Sequence, residues 1–453
     1  MARRLRTDPM SAVTDPSLLP RAADVEQAQA DHRGRDLLIE LLLLFAVGYN
    51  FLLAIVNAQF FTVSPALTYV AELVIYAGCF GLGIWTLQRE KIVALLVGIG
   101  LIGAIMLLRY VLEWRVDAKF IRDAIIPFAF LVLGAAYGGS LPRLFLRMTV
   151  IVALVAVVEL VAPNLYGDVV NPKSYYVNTR GLDAGGFWNQ DSNLFVSATR
   201  PGERNFLAGS NLPRASSIFV EPVTTGNYLV FFCAILLVFW RSMGPKRIIF
   251  SVGLLLFLIV ASDGRLAAGT SLLLILGAPF LRKLDQRFSF LMLPLVIVGA
   301  AAMVWLMRVN AYEDTTMGRV YLTVHALQEM TAEAWLGLDF DVPYLYADSG
   351  VAYFIASQSI MIVGAFLLAF AFGLEMPTED GQAFKNFFML AFALGLLVSN
   401  SLFSVKSAAL WWFVLGVMWQ LPKGQWFSHV PALEAWAVNR RTAEPDGVST
   451  GAP

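Results

Sequence analysis

The chain has 453 residues, of which 58% are hydrophobic and 15% charged, with a mean hydropathy of +0.66. Such an apolar excess excludes an ordinary soluble domain and marks a polytopic membrane protein. With 33 basic and 33 acidic residues the formal net charge is zero, which excludes the basic face of a nucleic-acid binder.

Residues 1–36 contain no apolar core of the kind a cleavable signal needs and are rich in Ala, Asp and Arg; they read as a disordered cytoplasmic tail. A helical span needs roughly 17 to 25 mainly apolar residues. About twelve segments approach that: 37–56, 66–87, 92–108, 124–138, 148–165, 222–240, 247–262, 266–281, 288–307, 349–374, 386–400 and 407–421. Residues 37–421 therefore read as one all-α membrane domain, and 422–453 as a second cytoplasmic tail.

Basic residues set the orientation. With a cytoplasmic N-terminus, the five inner loops hold 11 Lys/Arg in 37 residues and the six outer loops 13 in 131. Both termini are then cytoplasmic, and the two long loops, 166–221 and 308–348, lie outside.

Charges within the spans carry the next information, since a charge at the bilayer centre costs about 2.5–3.5 kcal/mol on insertion scales. Glu40 lies near a cytoplasmic end and can snorkel. Glu72 and Glu159 lie toward the outer side, where an outer-loop arginine as partner competes with a proton-relay or substrate role. Cys79 and Cys233 both fall in spans, so no disulfide framework or thiolate metal site is expected.

In the first long loop, "SYYVNTRGLDAGGFWNQDSN" places Tyr175, Tyr176, Phe187 and Trp188 among amides and carboxylates. These rings can stack on a glycan or dip into the membrane interface as an aromatic belt. The loop ends with "RASSIFVEP", where Glu221 precedes Pro222. An acid there suits the N-terminus of a helix and equally suits a general base.

The short hairpin "ASDGRLAAGT" fixes Arg265 near the outer surface, as an interfacial anchor or as a cation for an anionic headgroup. Arg319 begins an amphipathic helix in the second long loop, either on a solvated face or toward a ligand. His325 follows on the same helix, as a face residue or a catalytic one. Asp348 stands at the outer end of the next span. The Asp339-Phe-Asp341 pair lacks further ligands, so no metal is expected, and nothing calls for a cofactor.

The order of these motifs resembles the Wzy-type polysaccharide polymerases and O-antigen ligases over about residues 130–420. Arg214, Ser216, Ser217, Phe219, Glu221 and Pro222 match an R-x-S-x-x-F-x-E-P pattern, Ser262 and Arg265 an S-x-x-R hairpin, and Arg319 with Gly337 a later arginine and glycine turn. Related ligases tend to carry histidine where this chain has Asp348, which together with Glu221-Pro222 favours polymerase over ligase.

The resemblance implies a multispan bundle of the bacterial inner membrane with its outer loops over a lateral cavity. It implies joining of undecaprenyl-diphosphate-linked glycan units, donor and acceptor both, into exopolysaccharide, capsule or O-antigen. Membrane lipids, a flippase and a chain-length regulator are the implied partners. Arg265 with Glu221 or Asp348 would do the chemistry, and Arg214, Arg319, His325, Tyr176 and Trp188 would bind substrate. Ligation of finished glycan to a lipid A core is the nearest alternative; a lipid-linked-oligosaccharide flippase is the alternative from another class.

Overall fold

The structure is a computed structural model describing residues 22–420, apart from positions 116, 201–205, 208, 210, 211, 314 and 347. The tail expected over 422–453 and most of that expected over 1–36 lie outside those residues. The described chain is helical, without a strand.

Five helices open it: α1 Ala22–Gln59, α2 Pro65–Gly83, α3 Arg89–Glu113, α4 Ala118–Ala135 and α5 Leu141–Val161. Helix α1 begins inside the segment expected to be a disordered tail, because Ala, Glu and Gln dominate residues 22–30 and favour helix before the apolar run starts. The first long loop is itself partly helical, with α6 Pro163–Val170 and α7 Pro172–Arg180. Then come α8 Pro222–Phe239, α9 Pro245–Ser262, α10 Arg265–Leu281 and α11 Ser289–Met307. The second long loop holds α12 Thr316–Glu329, α13 Ala332–Trp335 and α14 Val342–Leu345. The chain closes with α15 Gly350–Gln358, α16 Ile360–Leu368, α17 Glu379–Leu396 and α18 Val405–Gln420.

Seven of the described helices are long and apolar enough to cross a membrane: those within α1, α2, α3, α5, α8, α9 and α11, with up to eight if α15 and α16 count as one span. Every one of the twelve expected segments falls on helix, but α10, α17 and α18 are short or polar by that measure, and α4 carries Lys119, Arg122 and Asp123 in its first turns. Helix α3 buries none of its apolar window, and Leu96, Val97, Leu107 and Val111 are exposed on it. An apolar surface of that extent is a lipid-facing one.

The expected span 349–374 is not a single helix. Its two halves meet at 103° around Ser359, whose φ is 81°. Three anchors hold the break. The Arg109 guanidinium donates to the carbonyls of Ala356 and Ser357, and Gln358 Nε2 donates to Phe120 O at 2.9 Å. Gly337, with φ +73°, lies so close that a Cβ there would stand 2.9 Å from Ser359 N. Freed carbonyls within a membrane need such donors, since no water replaces the lost helix bonds.

The opposite ends of the bundle are sealed by α17. Asn386 Nδ2 donates to Leu281 O and Leu284 O, both at 2.9 Å, and Lys385 Nζ to Leu374 O at 2.8 Å. Arg282, just past α10, donates to the last carbonyls of α8, Leu237 and Val238. These side chains satisfy helix C-termini that have no internal partner. In the core, α4 and α18 cross backbone to backbone. A Cβ on Gly134 would stand 2.0 Å from Phe413 O, and one on Gly416 2.2 Å from Leu131 O. Small residues at a crossing are how membrane helices approach closely.

Candidate functional site

Segment 212–221 closes the first long loop, and its backbone is fixed by its neighbours before its side chains do anything. Glu159 of α5 accepts the amides of Ser216 and Ser217 through Oε2, each at 2.7 Å. Ser217 Oγ donates to Val152 O at 2.6 Å, and Tyr166 OH to Ser217 O at 2.7 Å. Ser217 and Val220 take φ of 52° and 63°. For a β-branched residue this is an outlier, costing on the order of 1–3 kcal/mol. The tight reversal sends Arg214 and Glu221 into different surroundings. Among the described residues Glu159 is held by these two backbone amides and not by the outer-loop arginine expected as its partner. Glu72 does have one, Arg122, at 3.7 Å, and also accepts from Tyr49 OH.

Arg214 borders a cavity of about 300 Å³. Its walls come from both long loops, the start of α8, the α9–α10 turn and Val398 and Ser399 after α17. Four arginines line it: Arg200, Arg214, Arg265 and Arg319. Trp188, Asn227, Thr315 and Thr316 add an exposed ring and polar atoms, and no Asp or Glu lines it among the described residues.

The turn between α9 and α10 organises two of the four. Asp263 caps α9 in the left-handed region, φ 49°, which Asp tolerates better than most residues. Its carboxylate is buried behind the cavity wall, with Oδ2 3.9 Å from Arg214 Nε and 4.0 Å from Arg265 Nε. Arg214 also donates Nε to Ser262 O at 3.1 Å and Nη1 to Ser197 O at 3.4 Å. Arg214 is thus fixed and mostly buried, whereas the Arg265 side chain is half exposed. Arg319, one turn into α12 after the Thr315 cap, stands 3.8 Å from Asp348 Oδ1. Asp348 Oδ2 also accepts from Tyr312 OH at 3.2 Å.

The structure therefore gathers Arg214, Arg265, Arg319 and Trp188 at one cavity, with Asp348 touching it through Arg319. Three expected residues stand elsewhere. His325 faces away on α12, stacked on Tyr321 and 3.2 Å from Glu329 Oε2. Tyr176 is not an exposed sugar platform: it is fully buried, as is Tyr175, because α7 folds back onto α1 and α2 and tucks both rings under itself. Glu221 does not line the cavity. It pairs with Lys406 Nζ at 2.8 Å and accepts from Thr224 Oγ1 at 3.1 Å. Lys406 also reaches Tyr176 OH at 3.1 Å.

Glu221 also makes no side-chain bond to the free amides of α8, so its side chain is not used as a cap. Burial would push its carboxyl up, but Lys406 and the nearby Arg180 outweigh that and hold it at about 2. A carboxylate so stabilised is a weak proton acceptor.

Two features went unread in the sequence. Arg200 sits in "ATRPG", which marks a turn. Lys406 is the lone basic residue of the last expected outer loop, and that isolation beside a span was the available signal for a buried partner. Among the described residues no group of three or more His, Cys, Asp or Glu is placed to hold a metal.

Fold and site together define an all-helical membrane protein with an arginine-lined cavity between two helical loops. Compared with known families, curated proteins and solved structures, the chain matches none.

Proposed function

We propose that this protein is a glycosyltransferase that joins undecaprenyl-diphosphate-linked glycan units at the outer face of a bacterial inner membrane. The observation that carries the reading is the convergence of Arg200, Arg214, Arg265 and Arg319 on one cavity that no carboxylate of the described residues lines. A diphosphate leaving group builds negative charge as the glycosidic bond breaks. Guanidinium forks pair its oxygens bidentately and remain charged near lipid, and preorganised donors act on charge where it develops. In this reading all twelve apolar segments cross the membrane, α15–α16 as a broken span, with both termini cytoplasmic and the cavity open sideways to lipid.

The acceptor hydroxyl oxygen attacks the anomeric carbon of the donor, the bond from that carbon to the diphosphate oxygen breaks, and the diphosphate departs with the electron pair. The hydroxyl proton passes to Asp348, a carboxylate that stands 3.8 Å from the cavity-lining Arg319 and is not buried. Arg265 stabilises the departing group, Arg214 and Arg319 position it, and Trp188 offers a face to a sugar. The saccharide profile of a deletion strain tests the reading. Single repeat units without polymer are expected. Accumulated lipid-linked polymer would replace polymerisation with ligation, and unprocessed units confined to the cytoplasmic leaflet would replace it with transport.

A further inference from the structure

A second cavity, of about 260 Å³, lies between α3, α4, α16 and α18, and no basic residue lines it among the described residues. It is a groove that follows α18, since Phe403, just before that helix, and Trp419, next to its last residue, both line it. At 1.5 Å per residue the groove is roughly 20 Å long, more than the ~15 Å of hydrocarbon in one leaflet. Gln358, Ile362, Ala365, Ala369 and Gly373 line it at turn-by-turn spacing, through α16 and the π-helical turn Ala369–Gly373 that continues it. Ala369 and Gly373 are exposed, as is Leu101, which α3 contributes, so the groove opens sideways to the bilayer.

The polar side chains of the groove gather at one end. Gln358 donates Nε2 to Phe120 O at 2.9 Å, and Asp123, one turn after Phe120 on α4, accepts from Tyr353 OH at 2.5 Å. The Tyr353 ring packs on Phe403, which places this end at the start of α18. Gln358 is 4% exposed, and its Oε1 has no hydrogen-bond partner among the described residues. A buried acceptor left unmet is costly, so this end calls for a donor. The Asp123 carboxylate beside it disfavours an anionic headgroup, which distinguishes the groove from the arginine-lined cavity. Along the apolar remainder, Ala365, Ala369 and Gly373 form notches roughly 6 Å apart, and a Cβ on Gly373 would meet nothing within 4 Å. Side methyls fit such notches, whereas a straight acyl chain leaves them without contact.

We propose that this groove binds a neutral long-chain isoprenoid alcohol, a polyprenol, with its hydroxyl donating to Gln358 Oε1 and its methyl-branched chain laid along α16 and α18. The length of the groove tells this ligand from a phospholipid acyl chain, the acceptor end from a prenyl phosphate, and the notches from an unbranched alcohol. The inference stands apart from the proposed glycosyl transfer, because the ligand carries no phosphate and none of the four arginines of the other cavity lines the groove.

The test is native mass spectrometry of the full-length protein titrated with undecaprenol in neutral detergent. One equivalent is expected for the wild type and for the control Gly100→Leu, which alters α3 at an exposed position that does not line the groove. A369L/G373L fills the notches and should bind about tenfold more weakly or worse. Q358M removes the acceptor and should bind about 2- to 10-fold more weakly. R265A/R319A should bind as the wild type does. Full affinity in A369L/G373L would overturn the groove as the site, and full affinity in Q358M would overturn the hydroxyl contact. Loss of binding in R265A/R319A would move the lipid to the arginine cavity and overturn the assignment. A parallel titration adds phosphatidylglycerol at equal concentration: undecaprenol that stays bound supports the assignment, and its displacement gives the groove to an ordinary membrane lipid. A wild type that binds undecaprenol but makes no polymer would keep this inference while overturning the proposed function.

Discussion

Arg214 and Glu221 lie seven residues apart on one rigid segment, yet they end in opposite electrostatic settings. Arg214 faces a cavity whose charged lining, among the described residues, is all positive, with its counter-charge, Asp263, set behind the wall. Glu221 is matched one to one with Lys406 and largely shut away from solvent. An excess of one sign facing open space binds something, whereas a closed pair binds the protein to itself. The pattern of charge around a residue, more than its type, separates the site from its support.

The largest expected effect sharpens that contrast at the cavity rim. Asp348→Asn keeps the size of the side chain and removes the proton acceptor, so polymer formation in membranes should fall by about 10²- to 10⁴-fold, the usual range for a general base, with unfolding temperature unchanged. Normal polymer from this variant would leave the arginines acting by positioning and charge alone.

The closed pair should break in stability. Lys406→Ala strands the Glu221 carboxylate in a buried site, an imbalance that costs about 3–5 kcal/mol. Glu221→Gln with Lys406→Met removes both charges and should regain most of the loss in thermal unfolding. Polymer from this double variant would show that Glu221 does no chemistry; a folded but inactive double variant would return it to the reaction. The pH dependence carries a sign. With the folded carboxyl at about 2 and its ordinary value 4.5, the pair's contribution is whole above about 4.5 and lost as pH falls toward 2. Acid unfolding of the double variant should lack that step.

At the cavity, Arg265→Lys keeps the charge and loses the fork. Losing one charge-assisted bond of about 1.5–3 kcal/mol predicts roughly a 10- to 100-fold drop in polymer formation, with expression unaltered. Wild-type polymer would reduce Arg265 to an interfacial anchor. The smallest effect belongs to His325→Ala, outside both regions, which should shift stability by no more than about 0.5 kcal/mol and leave polymer length unchanged.

Much of this was legible in the sequence, for identifiable reasons. Apolar runs located the helices because lipid leaves the backbone no partner but itself. Arg214, Arg265 and Arg319 could be singled out because basic residues are sparse in the loops expected to lie outside. What sequence could not give was direction. The positive φ at Ser217 and Val220, which turns Glu221 away from Arg214, leaves no mark in "SSIFVE". The burial of Tyr176 depends on α7 folding back onto helices more than a hundred residues earlier, as the contact of Tyr175 OH with Asn50 illustrates. The break at Ser359 is likewise set by Arg109 and Gln358 rather than by a proline or glycine in the span.

The most direct test of the central claim reconstitutes the full-length protein in vesicles with lipid-linked oligosaccharide extracted from the deletion strain, and resolves the products by length on a gel. The account predicts a ladder of repeat units from the wild type and only single units from Arg265→Ala. A wild-type protein that makes no ladder, or an Arg265→Ala variant that makes the same one, would contradict it.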